Sequence, residues 1–269
     1  VVKQQNMTEK IKVPTMAEMA ANGEKPEILF WVGCSGSFDE RSQKITRAIA
    51  KILHHAGIKY AVLGPEESCT GDPAKRAGNE FLFQMQASAN IQVLNGYEVK
   101  KIVTGCPHCY NTLKNEYPDL GGNYEVVHHT QYFQTLIDEG KLNVDSDVFK
   151  DKKITFHDPC YLGRGNGEYD APRNVIGKLY ADLQEMERSK QRGFCCGAGG
   201  AQMFKEAEKG NKEVYVERAE EALGLNPEVI AAGCPFCMTM MTDGVKHFNK
   251  EEQVKVLDVA EMIANAKEL

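Results

Sequence analysis

Nine cysteines carry the chemistry this sequence offers, and they are placed in order. Thirty-four residues separate Cys34 from Cys69, and thirty-four separate Cys160 from Cys195. A Cys-Pro-x-Cys motif then closes each half: Cys106-Pro107-His108-Cys109 and Cys234-Pro235-Phe236-Cys237. The middle element is Cys69-Thr70-Gly71 in the first half and Cys195-Cys196-Gly197 in the second. Every cysteine belongs to this scheme, four in the first half and five in the second. Cysteines that merely fill a core have no reason to repeat their spacing. Nine in 269 residues is also too sparse for a disulfide scaffold, and the count is odd. Three chemistries use thiolates in such sets. Zinc takes four tetrahedrally, but has no need of the adjacent pair Cys195-Cys196. A dithiol exchange site could use Cys106 and Cys109, yet the motif occurs twice with companion cysteines at matched spacing. An iron–sulfur cubane takes four thiolates, and five allow something larger.

The elements that must position these residues alternate. Ile28 to Val32 reads as a buried strand that ends in Gly33-Cys34. Asp39 is placed to cap a helix with Ile45, Ala48, Ile49, Ile52, Leu53 and Ala56 on one face, and Gly57 to stop it. Tyr60 to Leu63 follows as a strand, and a helix fits Lys75 to Leu94. Lys101 to Thr104 and Tyr124 to Val127 are further strands, with a helix from Thr130 to Glu139. The second half repeats this order. Ile154 to Phe156 leads to Cys160, and a helix with Val175, Ile176, Leu179, Tyr180 and Leu183 reproduces five apolar positions 127 residues on. Val229 to Ala232 ends in Gly233-Cys234-Pro235, and Val254 to Ala264 echoes Tyr124 to Leu136. We expect an α/β fold of two tandem homologous domains, each a mainly parallel sheet flanked by helices. The expected divisions are an N-terminal arm at 1–26 with a short helix from Thr15 to Ala21, a first domain at 27–150 and a second at 151–269. The polar stretch Gly140 to Lys152 reads as the linker.

This architecture explains the spacing. Loops that follow parallel strands gather at the carboxyl edge of the sheet, where ligands bind. Each Cys-Pro-x-Cys begins where a strand gives way to a helix, and its proline fits the first helical turn. The helix N-terminus then offers N–H groups to thiolates.

Bulk properties exclude other classes. The net charge is −6 and no Lys/Arg run is present, which argues against an electrostatically driven nucleic-acid binder. No stretch approaches the roughly 18 apolar residues of a spanning helix. Val1 to Lys12 is polar and lacks an apolar signal core, so a cytoplasmic protein is expected, with Met7 as a candidate natural start. There is no Walker A motif, and no strand precedes Gly197 to Gly200 to make it a dinucleotide fingerprint.

The sequence resembles the cysteine-rich, or CCG-domain, family, whose pattern is a cysteine, Cys-Cys-Gly and Cys-x-x-Cys with gaps of some thirty-odd residues. The second half matches it in full through Cys160, Cys195-Cys196-Gly197, Cys234 and Cys237; the first half departs only at Thr70. Heterodisulfide reductase has a subunit with this duplication, as do iron–sulfur proteins linked to glycerol-3-phosphate, lactate and electron-transfer-flavoprotein oxidation. The segment His157-Asp158-Pro159-Cys160-Tyr161-Leu162-Gly163-Arg164 is most similar to the last group. The resemblance implies two α/β domains in pseudo-twofold symmetry with clusters near their interface. It implies a non-cubane [4Fe–4S] cluster on Cys160, Cys195, Cys196, Cys234 and Cys237. It also implies a four-ligand cluster, expected to be a cubane, on Cys34, Cys69, Cys106 and Cys109, with Thr70 beside it but not ligating. The expected function is an electron-transfer or redox subunit. Its implied partners are a ferredoxin-like subunit, a flavoprotein or a membrane quinone-linked subunit, through which it could sit peripherally at the inner membrane. The alternatives are a zinc-stapled structural subunit and a metal-free thiol–disulfide enzyme.

Lesser signals surround the cysteines. Gly197, Gly199 and Gly200 are candidates for close backbone approach to the cofactor. His157, three residues before Cys160, could tune the site or shuttle a proton, although a structural histidine is the plainer reading. His108 should lie near the site, whereas His128-His129 reads as a loop pair rather than a ligand pair. Asp158 and Arg164 read as supporting or surface groups, and Met238, Met240 and Met241 as core.

Overall fold

Short apolar runs separated by helical segments build two parallel sheets in succession. The computed structural model describes residues 11–206 and 209–269. Val1 to Asn6 and Met7 lie outside the described residues.

The first sheet contains β1 (Ile28–Trp31), β2 (Tyr60–Ala61), β3 (Lys101–Thr104) and β4 (Glu125–His128), in the order β2-β1-β3-β4. The second contains β5 (Lys153–Phe156), β6 (Asp182–Leu183), β7 (Val229–Ala232) and β8 (Lys255–Asp258), in the order β6-β5-β7-β8. All pairings are parallel, with Leu29 beside Ile102 in one sheet and Ile154 beside Val229 in the other. The fold is thus α/β, two copies of one strand order flanked by helices.

Twelve α-helices complete the described residues. In the first half they are α1 (Met16–Ala21), α2 (Gly33–Phe38), α3 (Glu40–His55), α4 (Asp72–Arg76), α5 (Glu80–Gly96), α6 (Pro107–Asn111) and α7 (His129–Asp138). In the second they are α8 (Gly163–Asn166), α9 (Asp170–Lys178), α10 (Val214–Leu223), α11 (Pro235–His247) and α12 (Val259–Ala266). Asp39 caps α3 by accepting from the Ser42 N–H at 2.7 Å, and Ile45, Ala48, Ile49, Ile52 and Leu53 form its buried face.

Two expectations need correction. The helix expected over 75–94 is two helices, broken at Gly78, whose φ is +85°; Asn79 restarts the chain by accepting from Leu82 N–H at 3.1 Å. In the second half α9 ends at Lys178. Tyr180 turns outward with φ +57°, and Leu183 belongs to β6 instead of the helix face. The arm is docked: Met16 and Met19 are buried, and Thr15 pairs with Val62 at the sheet edge. The linker is docked as well, because Leu142, Val144 and Phe149 sink into the core between its polar residues.

One continuous apolar core serves both halves. Helix α12 of the second half packs on α3 of the first, and α7 of the first packs on α9 of the second. A polar bracket closes each contact. Arg41, on α3, donates to both carboxylate oxygens of Glu261 on α12, at 2.6 and 2.7 Å. Gln131 on α7 donates to Glu168, just before α9, at 2.6 Å.

Candidate functional site

The central strands deliver the cysteines. Cys34 and Cys106 follow β1 and β3, and Cys160 and Cys234 follow β5 and β7, all at carboxyl ends. Cys106 and Cys234 are the N-cap residues of α6 and α11, with Pro107 and Pro235 in the first turn. Cys34 is within α2 instead of a loop. All nine cysteines are free thiols, half-buried or buried.

Within each half the thiols meet. Cys34, Cys69, Cys106 and Cys109 line one small cavity with Thr70, Asp72, His108 and Phe236. Thr70 is buried, its hydroxyl 4.0 Å from the Cys109 sulfur. In the second half the Cys196 and Cys237 sulfurs stand 3.3 Å apart. Cys160 and Cys196 share hydrogen bonds with Cys195, and Cys234 with Cys237. Such crowding divides the thiols into donors and acceptors. A hydrogen bond from Cys34 holds Cys69 down at about 7, and the same bond together with burial pushes Cys34 up. Hydrogen bonds from Cys160 and Cys196 hold Cys195 well below the usual thiol range. Burial opposes ionisation of Cys234, but Cys237 and His108 bring it to about 5. A soft cation at either set would let the remaining thiols ionise, so the donor sets fit a thiolate-bound metal group.

The Cys-x-Gly turns match in detail. Gly71 N–H points at the Cys69 sulfur at 3.5 Å, and Gly197 N–H at the Cys195 sulfur at 3.3 Å. Both glycines have positive φ, +88° and +92°, and a Cβ would come within 2.8 Å of Phe83 or 3.1 Å of Val214. Gly200 shares the positive φ, +67°, and a Cβ on Gly199 or Gly200 would meet no atom within 4 Å.

The two sets touch through the variable residues of their Cys-Pro-x-Cys motifs. Phe236 lines the first-half cavity. His108 reaches the other way, toward the Cys234 sulfur, while its Nδ1 binds Asp72 at 2.8 Å. Burial alone would lower the His108 pKa, but Asp72 and Cys234 hold it well above its ordinary value. Its ring also packs on Tyr161, which follows Cys160, at a centroid distance of 4.7 Å.

His128 and His129 have a different task. His128 donates from Nε2 to the Gly233 carbonyl at 3.0 Å, and His129 from Nε2 to Asp258 at 2.9 Å, both across the halves. Asp158 accepts paired hydrogen bonds from Arg173, at 2.8 and 2.9 Å, and one from Lys190 N–H at 2.8 Å. Arg164 donates to the Gly193 carbonyl at 2.9 Å, so both brace the loop into Cys195. Met238 and Met241 are core. A ring nitrogen of His157 lies within 4.8 Å of the Cys196 and Cys237 sulfurs. Burial and the nearby Arg218 keep this imidazole neutral, with a pKa of about 3.

Sequence reasoning missed Glu67, Asp72, Asn90, Tyr117 and Arg218. Glu67 accepts from the Val32 and Gly33 N–H groups at 3.1 and 2.5 Å and holds α2 in place; burial pushes its pKa up to about 7. Asn90 donates to the Cys69 carbonyl and the Tyr117 hydroxyl, both at 3.0 Å, and Tyr117 donates to the Thr70 carbonyl at 3.2 Å. These residues lie outside any motif. The one available signal was a polar Asn90 on the buried side of α5. A cleft of about 670 Å³ lies between residues 23–29 and 95–101, away from the cysteines.

Two parallel-sheet halves, each with a cysteine set at its carboxyl edge, define a duplicated cysteine-rich protein. The CCG cysteine-rich domain family matches residues 28–114 and 154–242, and the chain belongs to that family. It is 50% identical over 256 residues to "Probable iron-sulfur-binding oxidoreductase FadF" of Bacillus subtilis (strain 168), covering 95% of this chain and 36% of that one. It is 46% identical over 253 residues to EtfAB:quinone oxidoreductase of Syntrophomonas wolfei, covering 92% and 35%. It is 32% identical over 254 residues to a subunit of the dihydromethanophenazine:CoB–CoM heterodisulfide reductase of Methanosarcina barkeri, covering 90% and 59%. The chain thus spans about a third of the first two relatives and under two thirds of the third. No helix among the described residues is long and apolar enough to cross a membrane.

Proposed function

We propose that this chain is the iron–sulfur redox portion of an oxidoreductase, organised as two domains at 27–150 and 151–269 behind an N-terminal segment at 1–26. Cys160, Cys195, Cys196, Cys234 and Cys237 hold a non-cubane [4Fe–4S] cluster. Cys34, Cys69, Cys106 and Cys109 hold a four-ligand cluster, with Thr70 alongside as a non-ligand. The observation that carries this reading is the grouping of all nine free thiols into a set of five and a set of four. Buried Thr70 stands within 4.0 Å of the Cys109 sulfur, beside the set that lacks a fifth cysteine.

Such clusters store and pass single electrons when bound. The protein's part is to hold them apart from water and close to one another. The α6 and α11 N-termini and the Gly71 and Gly197 N–H groups offset the charge of the thiolates. His108 and Phe236 fill the space between the sets. With clusters bound, the two sets would let the chain carry an electron between partner subunits at the cytoplasmic side. The names of the relatives support a flavoprotein or quinone-linked partner; a ferredoxin-like subunit is the further candidate. Redox catalysis then belongs to the assembly rather than to this chain alone.

Anaerobic purification tests this. The expected product is a brown protein with nearly equal iron and acid-labile sulfide and two distinguishable paramagnetic signals on redox titration. A colourless protein with stoichiometric zinc, or full electron transfer after Cys160→Ser, would overturn it.

A further inference from the structure

We propose that Arg218 is a positioning residue that fixes His157 as a hydrogen-bond donor to the five-cysteine set, so that His157 is neither a metal ligand nor a proton acceptor there. The inference rests on the cluster assignment above for that set.

Arg218 lies on α10 and is fully buried. A buried guanidinium is costly, and this one is incompletely paired. Its Nη1 donates to the Arg188 carbonyl and to Glu221, both at 2.9 Å, while Nη2 has no partner among the described residues. Its Nε donates to His157 Nδ1 at 3.0 Å. Guanidinium offers only hydrogens and no acceptor. The nitrogen it meets must therefore present a lone pair, and the hydrogen of the neutral imidazole must reside on Nε2.

That hydrogen needs an acceptor. Among the described residues no oxygen takes it, and the Cys196 and Cys237 sulfurs are the chemical groups gathered at this ring. His157 is anchored at its backbone, its N–H donating to the Ala231 carbonyl at 2.8 Å, and at its ring by the bond from Arg218. Hydrogen bonds to cluster sulfur stabilise the more negative, reduced form and raise the potential. The five-thiolate set is the more anionic, and it has the greater need of such a donor. In the first half the residue three before Cys34 is Trp31, whose indole cannot accept from an arginine. The Arg–His arrangement is therefore peculiar to the second half, and the first-half cluster is an internal control.

The test is an anaerobic redox titration of the whole chain followed by electron paramagnetic resonance, with proton ENDOR in H₂O and D₂O. Arg218→Met and His157→Phe should keep iron and sulfide content, lose an exchangeable proton signal at the second cluster and move its midpoint to lower potential. The first cluster's midpoint should stay unchanged. The double variant should shift no further than either single one, and Arg218→Lys should recover part of the shift. An Arg218→Met protein with full iron, an unmoved second midpoint and the proton signal intact would overturn the inference. So would loss of iron from the second site in His157→Phe, which would make His157 a ligand. Should Arg218→Met fail to fold, His157→Phe and Arg218→Lys still decide the matter. Absence of iron in the unmodified chain would instead refute the cluster assignment.

Discussion

The ring of His108 meets the ring of Phe236 edge-on, with centroids 5.0 Å apart and planes at 87°. These are the variable residues of the two Cys-Pro-x-Cys motifs, and each reaches into the opposite half. Phe236 closes the first cavity, and His108 stands beside the Cys234 sulfur. The chemical identity of one motif is thus felt at the other's site.

Replacing His108 by Phe should therefore perturb the second cluster more than the first. The variant removes the imidazole that favours the Cys234 thiolate and leaves buried Asp72 with Arg76 alone. We expect a stability loss of about 1–3 kcal/mol. The second cluster's paramagnetic signal should change while the first one's line shape is retained. Chemical denaturation and low-temperature spectra check both.

The cysteine sets of the two halves differ by one side chain, Thr70 against Cys196. Cys196→Thr should convert the second site to a four-ligand one, with loss of its distinct paramagnetic signal. Thr70→Cys, at a buried position 4.0 Å from the Cys109 sulfur, should give the first site that signal. Identical spectra for all three proteins would disprove the assignment of the fifth ligand.

Arg41 should matter to stability and little to the clusters. Its paired hydrogen bonds to Glu261 join the halves through α3 and α12, neither of which carries a cysteine, and the two side chains are 26% and 12% exposed. Arg41→Met should cost about 1–2 kcal/mol, discounted for that partial exposure. Denaturation midpoints against iron content measure this directly.

His128 predicts acid sensitivity. Burial and the neighbouring His129 hold its pKa well below 6.5, so the folded chain keeps it neutral. The unfolded chain binds the proton more readily. Stability from this site is accordingly full above about pH 6.5 and is lost as pH falls below it, by up to about 1.4 kcal/mol per pH unit. His128→Asn should flatten the stability profile between pH 7 and 5, at some overall cost from the lost bond to Gly233.

The repeated order of strands and helices was legible because periodicity and cysteine spacing report local structure. So was the capping of α3 by Asp39, the proline start of α6 and α11, and the meeting of each cysteine set. What was not legible depended on contacts distant in the chain. Glu67 holding the Val32 and Gly33 N–H groups, Asn90 holding the Cys69 loop and Arg218 holding His157 each join separate elements by polar bonds. No period or motif marks such a residue. The break at Gly78 and the outward turn at Tyr180 were missed for another reason. Apolar spacing continued across both, but a left-handed backbone ended the helices.

The exchange of terminal helices, α12 onto α3 and α7 onto α9, makes the repeat indivisible. Either half excised by itself would bare an apolar face that its own residues cannot cover. The smallest unit that can be moved into another protein, or inherited intact, is therefore the pair. Within that obligate pair one site is free to diverge while its twin preserves the scaffold.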